Sequence, residues 1–252
     1  DPQDCARVAA FVRAHRQATP FHLPQWTRAT AKAARQTPRY LIAERPDGAL
    51  AGVLPLTEMR SPLFGSALVS TGFGTDGGIL ADTPQAVAAL ASAAWELAER
   101  LGIGSVELRG GPVPEGEWRV QEGTYLGFVR DLADSDEAEL ARVPRKRRAV
   151  VRKAMDAGIT VESGRARRDL DWHYRVYSES VRNLGTPVFP RALFAEVVAA
   201  FGDEADILTV LRDGQPEASV LSLYFNGTVF PYWGGSTTAS KATNAADAMY
   251  FS

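Results

Sequence analysis

Two stretches of the chain decide the fold: YLIAERPDGALAGVLPL at residues 40–56 and ILTVLRDGQPEASVLSL at residues 207–223. Each stretch is an apolar run, an Asp-Gly pair and a second apolar run, which is the sequence pattern of a β-hairpin. The two turn glycines, Gly48 and Gly214, lie 166 positions apart. The chain therefore carries the same hairpin signal twice.

The elements before each hairpin repeat at the same spacing. A helical pattern over residues 4–19 matches one over residues 170–186, and a Pro-initiated helix at Leu23-Pro24 matches one at Phe189-Pro190. Four matches in one order at one offset indicate a duplicated unit. We therefore predict an α/β (α+β) fold with two tandem domains, residues 1–122 and 123–252, each with a mixed sheet flanked by helices.

The first copy continues past its hairpin. We predict a strand at residues 68–70, a helix capped by Thr83 that stops at Gly102, and a short strand at residues 106–108. The matching long helix of the second copy would begin near residue 250, so we expect that copy to be incomplete in this sequence. Between the copies we predict a strand at residues 125–129 and a basic helix at about residues 144–157.

Composition excludes several classes of protein. The 252 residues are 45% apolar and carry a net charge of −2, which is ordinary for a globular protein and does not by itself require a polyanionic partner. One cysteine, Cys5, excludes a disulfide framework, and three scattered histidines make a metal centre unexpected. No apolar run reaches the length of a membrane span, and we expect a cytoplasmic location.

The basic helix is the strongest functional signal in the sequence. Seven basic residues and no acidic residue occur from Arg142 to Lys153. Arg145, Arg148 and Arg152 are three and four positions apart, so they share one helix face. A row of guanidinium groups suits phosphate recognition, and a merely solvated charged face is the alternative.

Two glycine-containing segments imitate nucleotide-binding motifs. Residues 72–77 fit G-x-G-x-x-G, but no helix follows directly, so we interpret them as a turn between strands or a loop that a substrate approaches. Residues 182–187 approach the acyl-CoA loop pattern, but they lie between two helices and end in Pro187. We predict a rigid elbow there, with Arg182 and Asn183 directed at a ligand.

A hairpin turn at Asn226-Gly227 leads to the aromatic and glycine residues of 231–236, which either line a pocket or pack in the core. The sequence has no G-x-S-x-G motif, no P-loop and no zinc-protease motif. It therefore favours direct transfer between two bound substrates, with no metal and no permanently bound cofactor.

Together these segments resemble the FemAB family, and most closely the FemAB-related proteins of PEP-CTERM/exosortase systems. The resemblance rests on residues 21–26, 76–78, 145–158, 180–190, 232–236 and 245–250. It implies two tandem GNAT-like acyltransferase domains that transfer an acyl or aminoacyl group to an amine. It also implies acyl-CoA or aminoacyl-tRNA as donor, which makes tRNA a candidate partner. The implied acceptor is a small-molecule or lipid-linked saccharide or peptide from peptidoglycan or exopolysaccharide synthesis.

We expect Asp76 to be the general base, with Glu44 and positions beyond Ser252 as alternatives. The residues expected to bind substrates are Trp26, Gly77, Arg145, Arg148, Arg152, Tyr177, Arg182, Asn183, Thr186, Tyr232, Trp233 and Ser236. Two other functions remain open: a non-catalytic binding module, and a scaffold of a surface-polysaccharide or protein-sorting system held at the membrane surface by the basic helix. The sequence leaves the oligomeric state open.

Overall fold

A computed structural model describes residues 2–252, which form two compact units. Unit 1 comprises the chain up to Val120 together with Ala195–Phe201 and Phe225–Gly227. Unit 2 comprises Gln121–Phe194, Gly202–Tyr224 and Thr228–Ser252. The mixed α/β fold with helix-flanked sheets is confirmed.

Unit 1 begins with two helices and continues into a mixed sheet. Its elements are α1 (Pro2–Ala14), a 3₁₀ turn (Pro20–His22), α2 (Pro24–Ala34), β1 (Thr37–Glu44), β2 (Leu50–Ser61), β3 (Gly65–Ser70), β4 (Leu80–Ala81), α3 (Pro84–Arg100) and β5 (Val106–Leu108). The strand order is β1-β2-β3-β5, with β4 paired to β2. The first two strand pairs are antiparallel, and β3 pairs with β5 in parallel.

The local signals of unit 1 act as the sequence predicts. The hairpin brings Leu41 opposite Leu54, and Gly48 adopts a φ of 82° at the turn. The Thr83 side chain accepts a hydrogen bond from the Ala86 N–H at 3.2 Å, which caps α3. The buried face of α3 packs on β1 and β2, and the core includes Leu54, Leu56, Leu68, Ile79, Leu90, Ala94 and Ala98.

Unit 2 has a second sheet in the order β6-β7-β8-β9, in which the β6–β7 and β7–β8 pairs are antiparallel. The elements of this second part of the chain are α4 (Asp136–Arg142), α5 (Arg145–Met155), β6 (Ile159–Gly164), α6 (Arg167–Asn183), α7 (Arg191–Phe201), β7 (Ala205–Arg212), β8 (Gln215–Phe225), β9 (Thr228–Ser236), α8 (Ser240–Thr243) and α9 (Ala245–Phe251), with a 3₁₀ turn at Gly202–Glu204. Residues 195–201 of α7 and residue 225 of β8 belong to unit 1. Helix α6 packs on β7 and β9, and α5 packs on α9.

The hairpins predicted in the second half of the chain are present. Asn226 and Gly227 have φ angles of 47° and 75°, as the type I′ turn between β8 and β9 requires. The order of two helices followed by three strands occurs as α1-α2-β1-β2-β3 and again as α6-α7-β7-β8-β9. The basic helix is also confirmed, since α5 starts after Pro144 and is followed by Gly158 at a φ of 68°.

One predicted element is wrong. Residues 125–129 form no strand, and their large side chains, including Tyr125 and Phe128 at 91% exposure, lie in solvent. An apolar run forms a strand only where another strand pairs with it, and Gly127 breaks the alternation that would bury one face. The interruption at Gly127 is visible in the sequence, whereas the lack of a partner strand for residues 125–129 is not.

Candidate functional site

A polar face of α6 lines a cavity of about 630 Å³ in unit 2. Four side chains spaced three and four residues apart form this face, and the elbow after the helix lines the other side of the cavity. The lining residues are Arg175, Ser178, Glu179, Arg182, Gly185, Thr186, Pro187 and Val188. The opposite face of α6 is buried, so the helix presents its polar stripe to the cavity because its apolar stripe packs on the sheet.

The elbow is held by a regular helix-ending motif. The Thr186 N–H donates to the Val181 carbonyl at 2.9 Å, and the Gly185 N–H donates to the Arg182 carbonyl at 3.0 Å. Gly185 has a φ of 73°, the left-handed conformation that glycine adopts at this position. The predicted elbow between two helices is therefore confirmed, and it places Arg182 and Thr186 on the same cavity.

The loop after β9 is tied to the polar face of α6. The Thr238 N–H donates to the Glu179 Oε1 atom at 2.8 Å, and the Asn183 side-chain amide donates to the Thr238 hydroxyl at 3.2 Å. The strand can lie this close because Gly235 has no Cβ, which would sit 2.8 Å from the Ser180 Cβ atom. The glycine pair of β9 thus serves close packing of β9 on α6.

The cavity is suited to an anionic group. Arg175 donates to the Gln215 side chain at 3.1 Å, whereas Arg182 makes no ion pair or side-chain hydrogen bond within residues 2–252. A guanidinium with unused donors offers charge-assisted, bidentate hydrogen bonds to a phosphate. Glu179 adds a carboxylate whose Oε1 atom already accepts the Thr238 N–H.

The aromatic residues predicted to bind substrate lie mostly in the core of unit 2. Tyr177 and Trp233 are 9% and 6% exposed, and each packs against Phe194. Tyr232 is half-buried and contacts Trp233 with ring centroids 5.0 Å apart, and Ser236 is the last residue of β9. For residues 231–236 the core interpretation applies to Trp233, which packs in the core. The end of β9 lies beside the loop that contacts Glu179.

A buried histidine lies behind this face of α6. The His173 Nδ1 atom is 3.1 Å from the Ser219 hydroxyl, which is 3.1 Å from the Thr209 hydroxyl. Burial lowers the pKa of His173 to about 4, so its ring is neutral at neutral pH. Its Nε2 atom is buried with no hydrogen-bond partner.

The basic helix does not present its three arginines equally. Arg145 and Arg152 are exposed on α5, away from the buried Val151 and Ala154. Arg148 instead turns back and donates to the Ala141 and Val143 carbonyls at 2.6 and 3.1 Å. The structure therefore gives Arg148 a role in fixing the α4–α5 turn, which the helical spacing did not predict.

Three predicted residues lie in unit 1. Asp76 is exposed in the loop between β3 and β4, and the neighbouring Gly77 is buried. Trp26 is fully buried in α2, and its indole N–H donates to the Gly72 carbonyl of the same loop at 3.1 Å. The alternative base, Glu44, pairs with Arg7 at 2.6 Å.

A further cavity of about 640 Å³ in unit 1 is lined by residues 14–17 with Ala81 and Asp82. Asp82 pairs with Arg45 at 2.6 Å, and its other oxygen is 3.8 Å from the His15 Nε2 atom. Within residues 2–252 no three metal-ligating side chains form a cluster, and none of the helices there is long and apolar enough to cross a membrane.

Sequence reasoning missed Arg175, Ser178 and Glu179. Their spacing with Arg182 was a signal available in the sequence, since a polar stripe along a helix marks an unburied face. It also missed Thr238, whose partner Glu179 is 59 residues away. No local pattern predicts a contact over that separation.

Residues 122–252, just over half of the chain, match the family model for the acetyltransferase (GNAT) domain. The chain belongs to this family and is an acyltransferase; GNAT domains use acyl-CoA as donor.

Solved structures agree with this fold. The crystal structure of FemX is 14% identical and superposes with a TM-score of 0.70, covering 98% of this chain and 82% of that one. The C-terminal domain of a predicted lysylphosphatidylglycerol synthetase from Agrobacterium fabrum is 11% identical with a TM-score of 0.54, covering 99% of this chain and 73% of that one. Among functionally curated proteins, none matches the sequence.

Proposed function

We propose that the protein is an N-acyltransferase of the FemAB type that moves an acyl group from acyl-CoA to an amine of a cell-envelope saccharide or peptide. The observation that carries this proposal is the cavity on α6, where Arg182 offers an unused guanidinium beside Glu179 and the loop after β9. Phosphates are the anions that this donor set suits, and acyl-CoA carries several. The resemblance to FemAB proteins supports the two GNAT-like domains at residues 1–122 and 123–252.

In the proposed reaction the acceptor amine attacks the thioester carbonyl directly. The new N–C bond forms as the C–S bond breaks, the sulfur leaves as the CoA thiolate, and the amine proton passes to a base. A backbone N–H would hold the developing oxyanion, and Asp76 is our candidate for the base. The exposed carboxylate of Asp76 supports this role because it has room for a substrate amine.

The names of the structural neighbours indicate the class of acceptor only broadly. The structural neighbours are FemX and a domain of a predicted lysylphosphatidylglycerol synthetase, and the second name refers to a lipid product. The PEP-CTERM branch that the sequence resembles need not share the peptidoglycan acceptor, so an exopolysaccharide-related amino sugar is a candidate beside a peptidoglycan precursor. We propose an amino sugar as the acceptor class to test first.

The anion site is tested by binding, without knowledge of the acceptor. Inorganic pyrophosphate and CoA are titrated into the wild type, Arg182→Ala and Arg167→Ala by calorimetry at low salt. Arg167 is a matched control, because it is on the same helix, is exposed and pairs with Asp171 outside the cavity. We expect Arg182→Ala to raise the Kd for both probes about tenfold, since one charge-assisted contact is worth roughly 1.5 kcal/mol.

Arg167→Ala should leave both dissociation constants within about twofold of the wild type. Equal weakening in the two variants would mean that only the net charge of α6 matters. An unchanged Kd in Arg182→Ala would remove the cavity as the anion site. Turnover is measured in parallel as CoA thiol release from acetyl-CoA in the presence of glucosamine, lysine or alanine.

A further inference from the structure

We propose that Thr19 and His22 are positioning residues that fix the loop of residues 72–78, here called the Asp76 loop, and so hold the Asp76 carboxylate in place for proton transfer. This inference rests on the proposed function of Asp76 as the base. Every contact that carries it lies inside unit 1.

The start of the Asp76 loop is held by side chains from separate elements. At Gly72 the carbonyl accepts from the Trp26 indole at 3.1 Å, and the N–H donates to the Thr57 hydroxyl at 3.2 Å. Two residues further on, the Gly74 carbonyl accepts from Arg109 at 3.3 Å. Helix α2, strand β2 and the segment after β5 thus all anchor this end of the loop.

The end of the loop is held by Thr19 and His22. The Thr19 hydroxyl donates to the carbonyl of Asp76 itself at 2.7 Å. The His22 Nδ1 atom accepts the Thr19 N–H at 3.1 Å and lies 3.0 Å from the Thr19 hydroxyl, and the ring also hydrogen-bonds with the backbone of Gly78. The segment of residues 19–22, just before α2, therefore binds the backbone at Asp76 and at Gly78.

His22 is suited to remain a neutral hydrogen-bonding group. It is 3% exposed, and Tyr40 donates its hydroxyl to the His22 carbonyl. Burial is the largest cause that lowers the pKa of His22 to about 4, and the neighbouring His15 contributes in the same direction. A neutral imidazole has one acceptor and one donor nitrogen, so the ring can hydrogen-bond with both backbone segments at neutral pH.

Close packing prevents the loop from moving into an alternative position. A Cβ at Gly77 would lie 2.5 Å from the Thr71 Cγ2 atom, and one at Gly78 would lie 1.9 Å from the Gly110 carbonyl oxygen. The Asp76 side chain, by contrast, is exposed. The Thr75 hydroxyl donates to the Asp76 Oδ2 atom at 3.5 Å. A rigid backbone that carries an exposed carboxylate is the arrangement that a precisely placed functional group needs, since a catalytic group depends on the residues that fix it.

The first test measures the loop without any substrate. Thr19→Val removes the hydroxyl at constant shape, Thr19→Ser restores it, and Thr27→Val makes the same change at a buried hydroxyl that has no hydrogen-bond partner. We expect hydrogen–deuterium exchange of a peptide covering residues 70–80 to rise at least about fivefold in Thr19→Val and to stay at the wild-type rate in the other two. Unchanged exchange in Thr19→Val would overturn the proposal.

The second test separates positioning from the role of Asp76. In a double-mutant cycle on acyl transfer from acetyl-CoA, we expect Thr19→Val to lower kcat at least about tenfold at unchanged KM for acetyl-CoA. The double variant with Asp76→Asn should be no slower than Asp76→Asn alone, because Thr19 acts through Asp76. Additive losses would overturn the positioning role while leaving Asp76 as the base. Full activity of Asp76→Asn would overturn the proposed base and this inference with it.

Discussion

The candidate site of unit 1 is shaped mainly by backbone, whereas the candidate site of unit 2 is shaped mainly by side chains. In unit 1 the Asp76 loop is shaped by backbone, with glycines where other chain segments approach and side chains that bind its carbonyls. In unit 2 the cavity is shaped by the side chains of one helix face and its elbow. The difference teaches which substitutions each site tolerates, because a loop shaped by backbone has no room for an added atom, whereas a helix face exchanges side chains freely.

The same contrast appears in the two buried histidines. The ring of His22 in unit 1 hydrogen-bonds with the backbone of Thr19 and of Gly78, on two different segments of the chain. His173 of unit 2 contacts the Ser219 hydroxyl through Nδ1 and leaves Nε2 without a partner. His22 thus helps to fix the Asp76 loop in unit 1, whereas His173 is a buried core residue of unit 2.

The largest expected effect breaks the loop shaped by backbone. Gly78→Ala places a methyl group 1.9 Å from the Gly110 carbonyl oxygen, so one of the two segments must move. We expect a loss of about 3 kcal/mol or more in the free energy of unfolding, at the upper end for overpacking. Urea unfolding measures it, with Gly104→Ala as the control.

Gly104 has no atom within 4 Å of its added Cβ and no left-handed backbone angle. Gly104→Ala should therefore change the free energy of unfolding by less than about 0.5 kcal/mol. A Gly78→Ala protein as stable as the Gly104→Ala protein would show that the loop is not close-packed. The contrast between the two units would then disappear.

The second prediction sharpens the comparison of the histidines. Both have a folded pKa of about 4 against an ordinary value of 6.5, so between these values the unfolded chain binds protons that the folded chain does not. Stability is therefore full above pH 6.5 and falls as the pH drops to about 4, by roughly 3 kcal/mol for each histidine. His173→Phe should remove one of these two contributions.

Urea unfolding between about pH 7.5 and about pH 4.5 checks this difference. The wild type should lose about 2 to 3 kcal/mol more than His173→Phe over that range, and the titration of the carboxylates cancels because both proteins share it. Parallel pH curves for the two proteins would show that His173 is protonated in the folded state. The His173 Nε2 atom, which has no hydrogen-bond partner in the structure, would then have one in solution.

Much of the fold was predictable because its signals are local. The Asp-Gly and Asn-Gly turns, the Thr83 cap and the glycine after α6 each act within a few residues, and each forms as expected. The strand at residues 125–129 failed because pairing is not a local property. Its apolar residues satisfy the pattern, but the pattern does not supply a neighbouring strand.

The candidate sites were predictable only in part, for the same reason. Arg182 and the elbow after α6 were predictable because they depend on the local conformation of the chain, and they line one side of the cavity. The contact between Glu179 and Thr238, and the contact between Thr19 and Asp76, join residues 59 and 57 positions apart. Helical spacing likewise placed Arg145, Arg148 and Arg152 on one face, but it could not show that Arg148 bends back to the α4–α5 turn.

The smallest predicted effect concerns these arginines and asks whether they form one group. Arg148→Ala removes donors to the carbonyls of Ala141 and Val143, so we expect a loss of about 1 to 2 kcal/mol in the free energy of unfolding. Arg152→Ala removes an exposed side chain and should cost less than about 0.5 kcal/mol. Thermal or urea unfolding of the two variants gives the comparison directly.

Equal and small losses would show that Arg148 lies on the exposed face that the helical spacing alone predicts. Arg145, Arg148 and Arg152 would then all be available for the predicted phosphate binding. Unequal losses would leave Arg145 and Arg152 as the pair available to a ligand, because a guanidinium that holds a turn together cannot also be displaced toward a phosphate without opening that turn.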